Sequence, residues 1–140
     1  MIGRVFVDSD VILDVALARE PFVAHSSLVL AILERRRCVG VISSNLVTNV
    51  YYVLRKLSSS GQARGFLHDL LQIMEITSVS HHAVVKALAS EFTDLEDGIQ
   101  HFGALEARCD CIVTRNGMDY TKATIPVYSP QEFLALFGNG

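Results

Sequence analysis

The sequence predicts an α/β fold, a three-layer α/β/α sandwich around a central parallel sheet of four to five strands. Three observations carry this. Val5-Phe6-Val7, Val39 to Ile42 and Cys111 to Thr114 are short apolar runs without alternation, the pattern of strands buried on both faces. Helix-length segments with apolar spacings of three and four separate them. The chain has 140 residues, half of them hydrophobic and 19% charged, which suits one core and argues against disorder. We therefore read residues 1–140 as a single domain.

Taken in order, the first strand is Val5-Phe6-Val7, two of its three residues β-branched, ending near Asp8. Ile12, Leu13 and Ala16 then mark a helix with Ser9 placed to cap it. Pro21 opens a second helix running to about Arg37, with Leu28, Ile32 and Leu33 on its core side. Val39 to Ile42 is the second strand. Ser43 or Ser44 caps the next helix, which carries Leu46, Val50, Val53, Leu54 and Leu57. Ser58-Ser59-Ser60-Gly61 is a short connection to a helix from about Gln62 to Met74, followed by a strand near Ile76 to Val79.

Ser80 caps a helix from about His82 to Phe92. Thr93 and Glu96 have capping-box spacing, so another helix starts there and carries Asp97 in its first turns. Cys111 to Thr114 and Pro126-Val127-Tyr128 are the remaining strands. Ser129, Pro130 and Glu132 combine a cap, a proline at the first helical position and a glutamate three on from the cap, which defines the closing helix.

The bulk charge narrows the partners. A net charge of −3 gives no global attraction to nucleic acid or to an anionic surface, so an RNA contact needs a local patch such as Arg35-Arg36-Arg37 or Arg55-Lys56. The three cysteines, Cys38, Cys109 and Cys111, form no framework and read as reduced thiols of a cytoplasmic protein. Cys109 and Cys111 are read as small apolar residues beside a strand, not as metal ligands. No signal-peptide core precedes Asp8, and the apolar stretch from Leu28 to Leu33 is too short to span a bilayer, so no membrane role is expected.

Parallel sheets bind ligands outside the carboxyl ends of their strands. Asp8 lies where the first strand stops, Asp94, Glu96 and Asp97 cluster at a helix start, and Asp119 follows the strand that ends at Thr114. On one sheet edge these carboxylates would meet, and like charges held together raise one another's pKa or take up a cation. Oxygen-only ligands favour Mg²⁺ or Mn²⁺ over zinc. Ordinary explanations stand beside this. A helix macrodipole favours acids in the first turn by about 0.3–1 kcal/mol, which accounts for Asp94 and Glu96. Asp10 fits either an exposed first turn or a supporting place in the site, and Asp14, one turn on, reads as solvated. Asp8 resists such an account, because a carboxylate directly after a buried strand is costly without compensation. His81-His82 reads as a helix start. Tyr51 and Tyr52 cannot share one helix face, so one of them is free for an interface, with Phe22 as a further candidate.

These stretches together resemble the PIN domain family and, within it, the VapC-like toxins. The resemblance runs through "FVDSDVILDV", "REPF", "VISSNLVTNVYYVLRK", "DLEDGIQHFGAL", "CDCIVTRNGMDY" and "IPVYSPQEFL", in the family's order. It implies a metal-dependent ribonuclease whose clustered acids hold one or two Mg²⁺ or Mn²⁺ ions. Asp8 matches the first acid and Asp97 the third. The fourth position falls by spacing on Asn116, where relatives carry Asp or Asn, with Asp119 the nearest carboxylate. Thr114 matches a hydroxyl residue that supports the site. Asn49 stands where the family usually has glutamate. Its amide can orient a water but carries no charge, which implies weaker metal binding unless Asp94 or Glu96 compensates. Arg115 lies beside the site in sequence and reads equally as a phosphate contact or as an exposed basic side chain. The resemblance also implies an RNA substrate, a homodimer and a small antitoxin.

Two alternatives come from the same residues. Asn49 is compatible with a catalytically impaired PIN module that binds RNA or protein without cutting. "VFVDSDVILD" is also similar to the opening of haloacid-dehalogenase-like phosphatases, with "VISSN" supplying a hydroxyl, but Val11 and Ile12 occupy that family's Gly-Thr turn and no lysine is well placed.

Overall fold

The computed structural model describes residues 2–138. Its apolar runs become five strands: β1 (Arg4–Val7), β2 (Val39–Ser43), β3 (Met74–Thr77), β4 (Cys111–Val113) and β5 (Val127–Tyr128). They form one parallel sheet in the order β3-β2-β1-β4-β5. Val5, Phe6, Val7, Ile112 and Val113 have no exposed surface, as expected of central strands covered on both faces. The cover is α1 (Ser9–Ala16), α2 (Val23–Glu34), α3 (Ser44–Leu57), α4 (Ser60–Leu70), α5 (His81–Ala89), α6 (Leu95–Glu106) and α7 (Pro130–Leu136). The expected α/β/α architecture is therefore present.

The strand order reverses at β1. The chain first lays β2 and β3 on one side of it, then returns to add β4 and β5 on the other. That reversal opens a crevice outside the carboxyl ends of β1 and β4, the place where open α/β sheets bind ligands. Register fixes what lies there. Val7 pairs with Val113 and Ser43 with Thr77. The Asp8 amide donates to the Val113 carbonyl at 3.0 Å, and the Thr114 amide to the Tyr128 carbonyl at 3.0 Å, so the ladder carries both side chains to the edge.

Several boundaries differ from expectation, for local reasons. Asp8, not Ser9, caps α1, and Asp94, not Thr93, caps α6 through the amides of Glu96 and Asp97. In both places a carboxylate one residue away replaces the predicted hydroxyl. The second helix starts at Val23, without a side-chain cap, and ends at Glu34. α4 ends at Leu70 and Met74 already belongs to β3, so that strand sits earlier than predicted. α5 stops at Ala89, short of Phe92. The closing capping box of Ser129 and Glu132 forms as expected.

Leu28 is a correction: it is 52% exposed, because α2 buries the stripe of Ser26, Val29, Leu30, Ile32 and Leu33 instead. Tyr51 is half-buried and Tyr52 exposed, and their rings meet edge to face with centres 5.9 Å apart. Gly40 on β2 allows the close approach of α2, since a Cβ there would collide with Leu33. All three cysteines are free and buried. Among the described residues, no helix is long and apolar enough to cross a membrane.

Candidate active site

Asp8 leaves β1 and turns into α1, and both its oxygens are engaged. Oδ1 accepts from the Ser9 amide at 2.8 Å. Oδ2 accepts from Thr114 Oγ1 at 3.0 Å and from the Tyr120 hydroxyl at 3.1 Å. Burial raises the Asp8 pKa against these three donors, and the charge of Asp119 adds to the rise. Tyr120, 2% exposed, comes from a 3₁₀ turn at Gly117–Tyr120 that the sequence reading missed. Burial and the neighbouring Asp8 charge push its pKa upward, so its hydroxyl remains a donor. An aromatic residue at the end of a polar loop resembles ordinary core, and only the acid opposite it gives its hydroxyl a purpose.

Asp10 joins the site instead of facing solvent. Its Oδ2 accepts from Thr114 Oγ1 at 3.2 Å, the Arg115 amide at 3.0 Å and Asn116 Nδ2 at 3.1 Å. Burial and then the charge of Asp8 raise its pKa to about 6. Asp97, in the first turn of α6, is pushed up to about 7 by burial, then by Asp94, Asp119, Asp8 and Glu96. Asp8, Asp97 and Asp119 thus share one electrostatic neighbourhood although they come from three separate stretches of the chain. Asp94 and Glu96 are exposed and act on it through charge.

Two expectations fail here. Asp14 is not solvated. It has no exposed surface and forms a two-pronged pair with Arg115, Nε to Oδ2 at 2.6 Å and Nη2 to Oδ1 at 3.1 Å. Ser26 donates to Oδ2 at 3.2 Å, and the Arg115 guanidinium lies 3.8 Å from the Phe22 ring centre. Arg115 is therefore not free to meet a phosphate; it ties the exit of β4 to α1 and α2. Asn49 is exposed on α3 and, among the described residues, hydrogen-bonds none of these acids.

Two buried polar side chains, neither singled out by its sequence position, tie α6 to β2 and to the loop that precedes β5. Gln100 Oε1 accepts from Ser43 Oγ at 2.9 Å. His101 Nε2 accepts from the Thr124 amide at 3.0 Å, and burial lowers the His101 pKa, so the ring is neutral with its proton on Nδ1. These contacts anchor the helix that carries Asp97.

The profile of the PIN domain family matches residues 4–117. The chain belongs to the PIN domain family. It is 31% identical over 135 residues to Ribonuclease VapC1 of Aquifex aeolicus (strain VF5), covering 93% of this chain and 92% of that protein. Solved structures share the fold at lower identity. A toxin–antitoxin complex from Klebsiella pneumoniae aligns with a TM-score of 0.68 and 22% identity, over 90% of this chain and 97% of that one. VapC20 of Mycobacterium tuberculosis, described as a sarcin–ricin loop cleaving toxin, aligns with a TM-score of 0.67 and 10% identity, over 84% and 94%. The phosphatase reading falls with this membership. Of the two hydroxyls in "VISSN", Ser43 Oγ is buried and donates to Gln100.

Whether the PIN acids suit a divalent cation can be judged from the donors. The set is oxygen-only, and Asp10 Oδ1 is buried with no hydrogen-bond partner among the described residues. Arg115, the nearby guanidinium, is committed to Asp14. A hard cation fits such a set better than zinc. Among the described residues no three His, Cys, Asp or Glu side chains already close on a single point. What the PIN site offers is a shared negative field, not a finished coordination shell.

Proposed function

We propose that this PIN domain is a divalent-cation-dependent endoribonuclease, a VapC-like toxin that hydrolyses RNA phosphodiesters and is held in check by a small antitoxin. The observation that carries the reading is the gathering of carboxylates at the switch point of the sheet, clearest at Asp97, which burial and the charges of Asp94, Asp119, Asp8 and Glu96 push up to about 7. The likeness to Ribonuclease VapC1 and to toxin–antitoxin complexes supports the substrate class and the partner.

Asp8, Asp97 and Asp119 would hold Mg²⁺ or Mn²⁺, with Asn116 and Asn49 at the rim. When bound, the ion supplies an activated water and neutralises charge that develops on the phosphoryl oxygens. The protein's own part is orientation. Thr114, Tyr120 and the Ser9 amide keep the Asp8 carboxylate in one pose, so little reorganisation remains at the moment of reaction. Gln100 and His101 hold α6, and hence Asp97, against that pose. A groove of about 470 Å³ between α3 and α4, lined by Val47, Tyr51, Tyr52, Arg64 and Leu67, is a candidate seat for an amphipathic antitoxin helix.

The exposed amide of Asn49 favours one second reading, a domain that binds RNA or its partner without cutting. Cleavage of single-stranded RNA with Mg²⁺ or Mn²⁺, wild type against Asp8→Asn, separates the two. Cation-dependent cleavage lost in the variant is expected. Equal activity in both proteins rejects the assignment, and absence of cleavage in the wild type with retained RNA binding selects the second reading.

A further inference from the structure

Counting protons at the crevice leaves one charge unanswered. Thr114 Oγ1 lies 3.0 Å from Asp8 Oδ2 and 3.2 Å from Asp10 Oδ2. A hydroxyl has one hydrogen, so it can satisfy one of these oxygens at a time. The same oxygen also accepts from the Asn116 amide at 3.1 Å, which fixes its place between the two acids. Asp8 keeps two further donors, the Ser9 amide and the Tyr120 hydroxyl. Asp10 has the Arg115 amide and Asn116 Nδ2, and both serve Oδ2. Oδ1 is buried with no hydrogen-bond partner among the described residues. A buried carboxylate oxygen without a donor is expensive unless a positive charge faces it.

The Arg115 and Asn116 donors on Oδ2 also fix how the carboxylate is turned. With Oδ2 pinned to the loop of Thr114, Arg115 and Asn116, Oδ1 cannot swing to solvent without breaking those bonds. Its rigid presentation next to Asp8, not the number of acids nearby, is what distinguishes Asp10 from Asp94 and Glu96, which are exposed.

We infer that Asp10 is a further cation-facing carboxylate of this site, presenting Oδ1 to the same ion as Asp8. This rests on the cation reading above and assigns Asp10 a direct place in it. The total of negative charge around the ion is then kept although position 49 carries an amide.

The test is Mn²⁺ binding to chelator-stripped protein, followed by calorimetry and by the rise in melting temperature. Asp10→Asn keeps an acceptor for the loop donors and removes the free anionic oxygen. It should weaken Mn²⁺ binding at least about tenfold, since even residues that only support metal ligands cost about 10–100-fold when replaced. Asp69→Asn, an exposed site on α4, should leave it unchanged. Wild-type affinity in Asp10→Asn overturns the inference alone. No Mn²⁺ effect on the wild type overturns the inference and the cation reading together. Should the variant fail to fold, the wild type still decides: Mg²⁺ must shift the side-chain carboxyl carbon resonance of Asp10, and a resonance that stays still while that of Asp8 moves refutes the assignment.

Discussion

Replacing Arg115 by methionine should cost stability well out of proportion to its surface position. Asp14 is wholly buried and its carboxylate faces the guanidinium at 2.6 and 3.1 Å, while the Arg115 side chain is 22% exposed. Removing one partner of a buried pair leaves a charge without an answer, typically at about 3–5 kcal/mol. Ser26 at 3.2 Å and Arg19 at 3.9 Å remain with Asp14, and methionine keeps packing on Phe22, so the lower end, about 3 kcal/mol, is expected. For a chain of this length that corresponds to a fall in Tm of about 10 °C. The backbone amide of residue 115 still reaches Asp10, so the loss belongs to the side chain. The assay is urea denaturation followed by circular dichroism. Adding Asp14→Leu should recover most of the loss, because an apolar pair in place of a buried ion pair is often near neutral. A single-variant cost under about 1 kcal/mol, or a double variant no better than the single, refutes the account of this pair.

Other outcomes follow from the same geometry. In cation-free protein, Asp97 is raised to about 7 and Asp10 to about 6, so the fold retains protons that the unfolded chain has lost, and their contribution to stability declines as pH rises from about 4 through 7. Urea midpoints at pH 5 and pH 8 in chelator should therefore differ less for Asp97→Asn than for wild type; an unchanged or larger difference contradicts the coupling. Tyr120→Phe strips Asp8 Oδ2 of one donor and should cost about 1.5–3 kcal/mol, read from the same midpoints. Gly40→Ala should cost about 1–3 kcal/mol by overpacking against the buried Leu33, and Leu33→Val in the same chain should return part of it.

Much of this molecule was legible in its sequence because two signals are local. Continuous apolar runs announced the parallel sheet, and the Ser129 to Glu132 capping box announced α7. Asp8 was legible because a carboxylate after a buried strand violates the pattern around it. The misplaced caps at Ser9 and Thr93 arose because aspartate and hydroxyl residues stand side by side, and their preferences differ too little to decide. Asp14 and Arg115 were misread for another reason. They lie 101 residues apart, each looks solvated alone, and only the fold brings the opposite charges together. Tyr120, Gln100 and His101 share that difficulty, since buried polar side chains are indistinguishable from surface ones until their partners are known.

Asp8 has two duties, and they constrain how its role can be probed. Its carboxylate both faces the acidic crevice and receives the first amide of α1. Asparagine preserves the second duty, because it starts helices as well as aspartate does, while alanine abolishes both. An inactive Asp8→Ala protein would therefore confound chemistry with a frayed helix, whereas Asp8→Asn isolates the lost charge. The usual alanine scan is the wrong instrument at this one position.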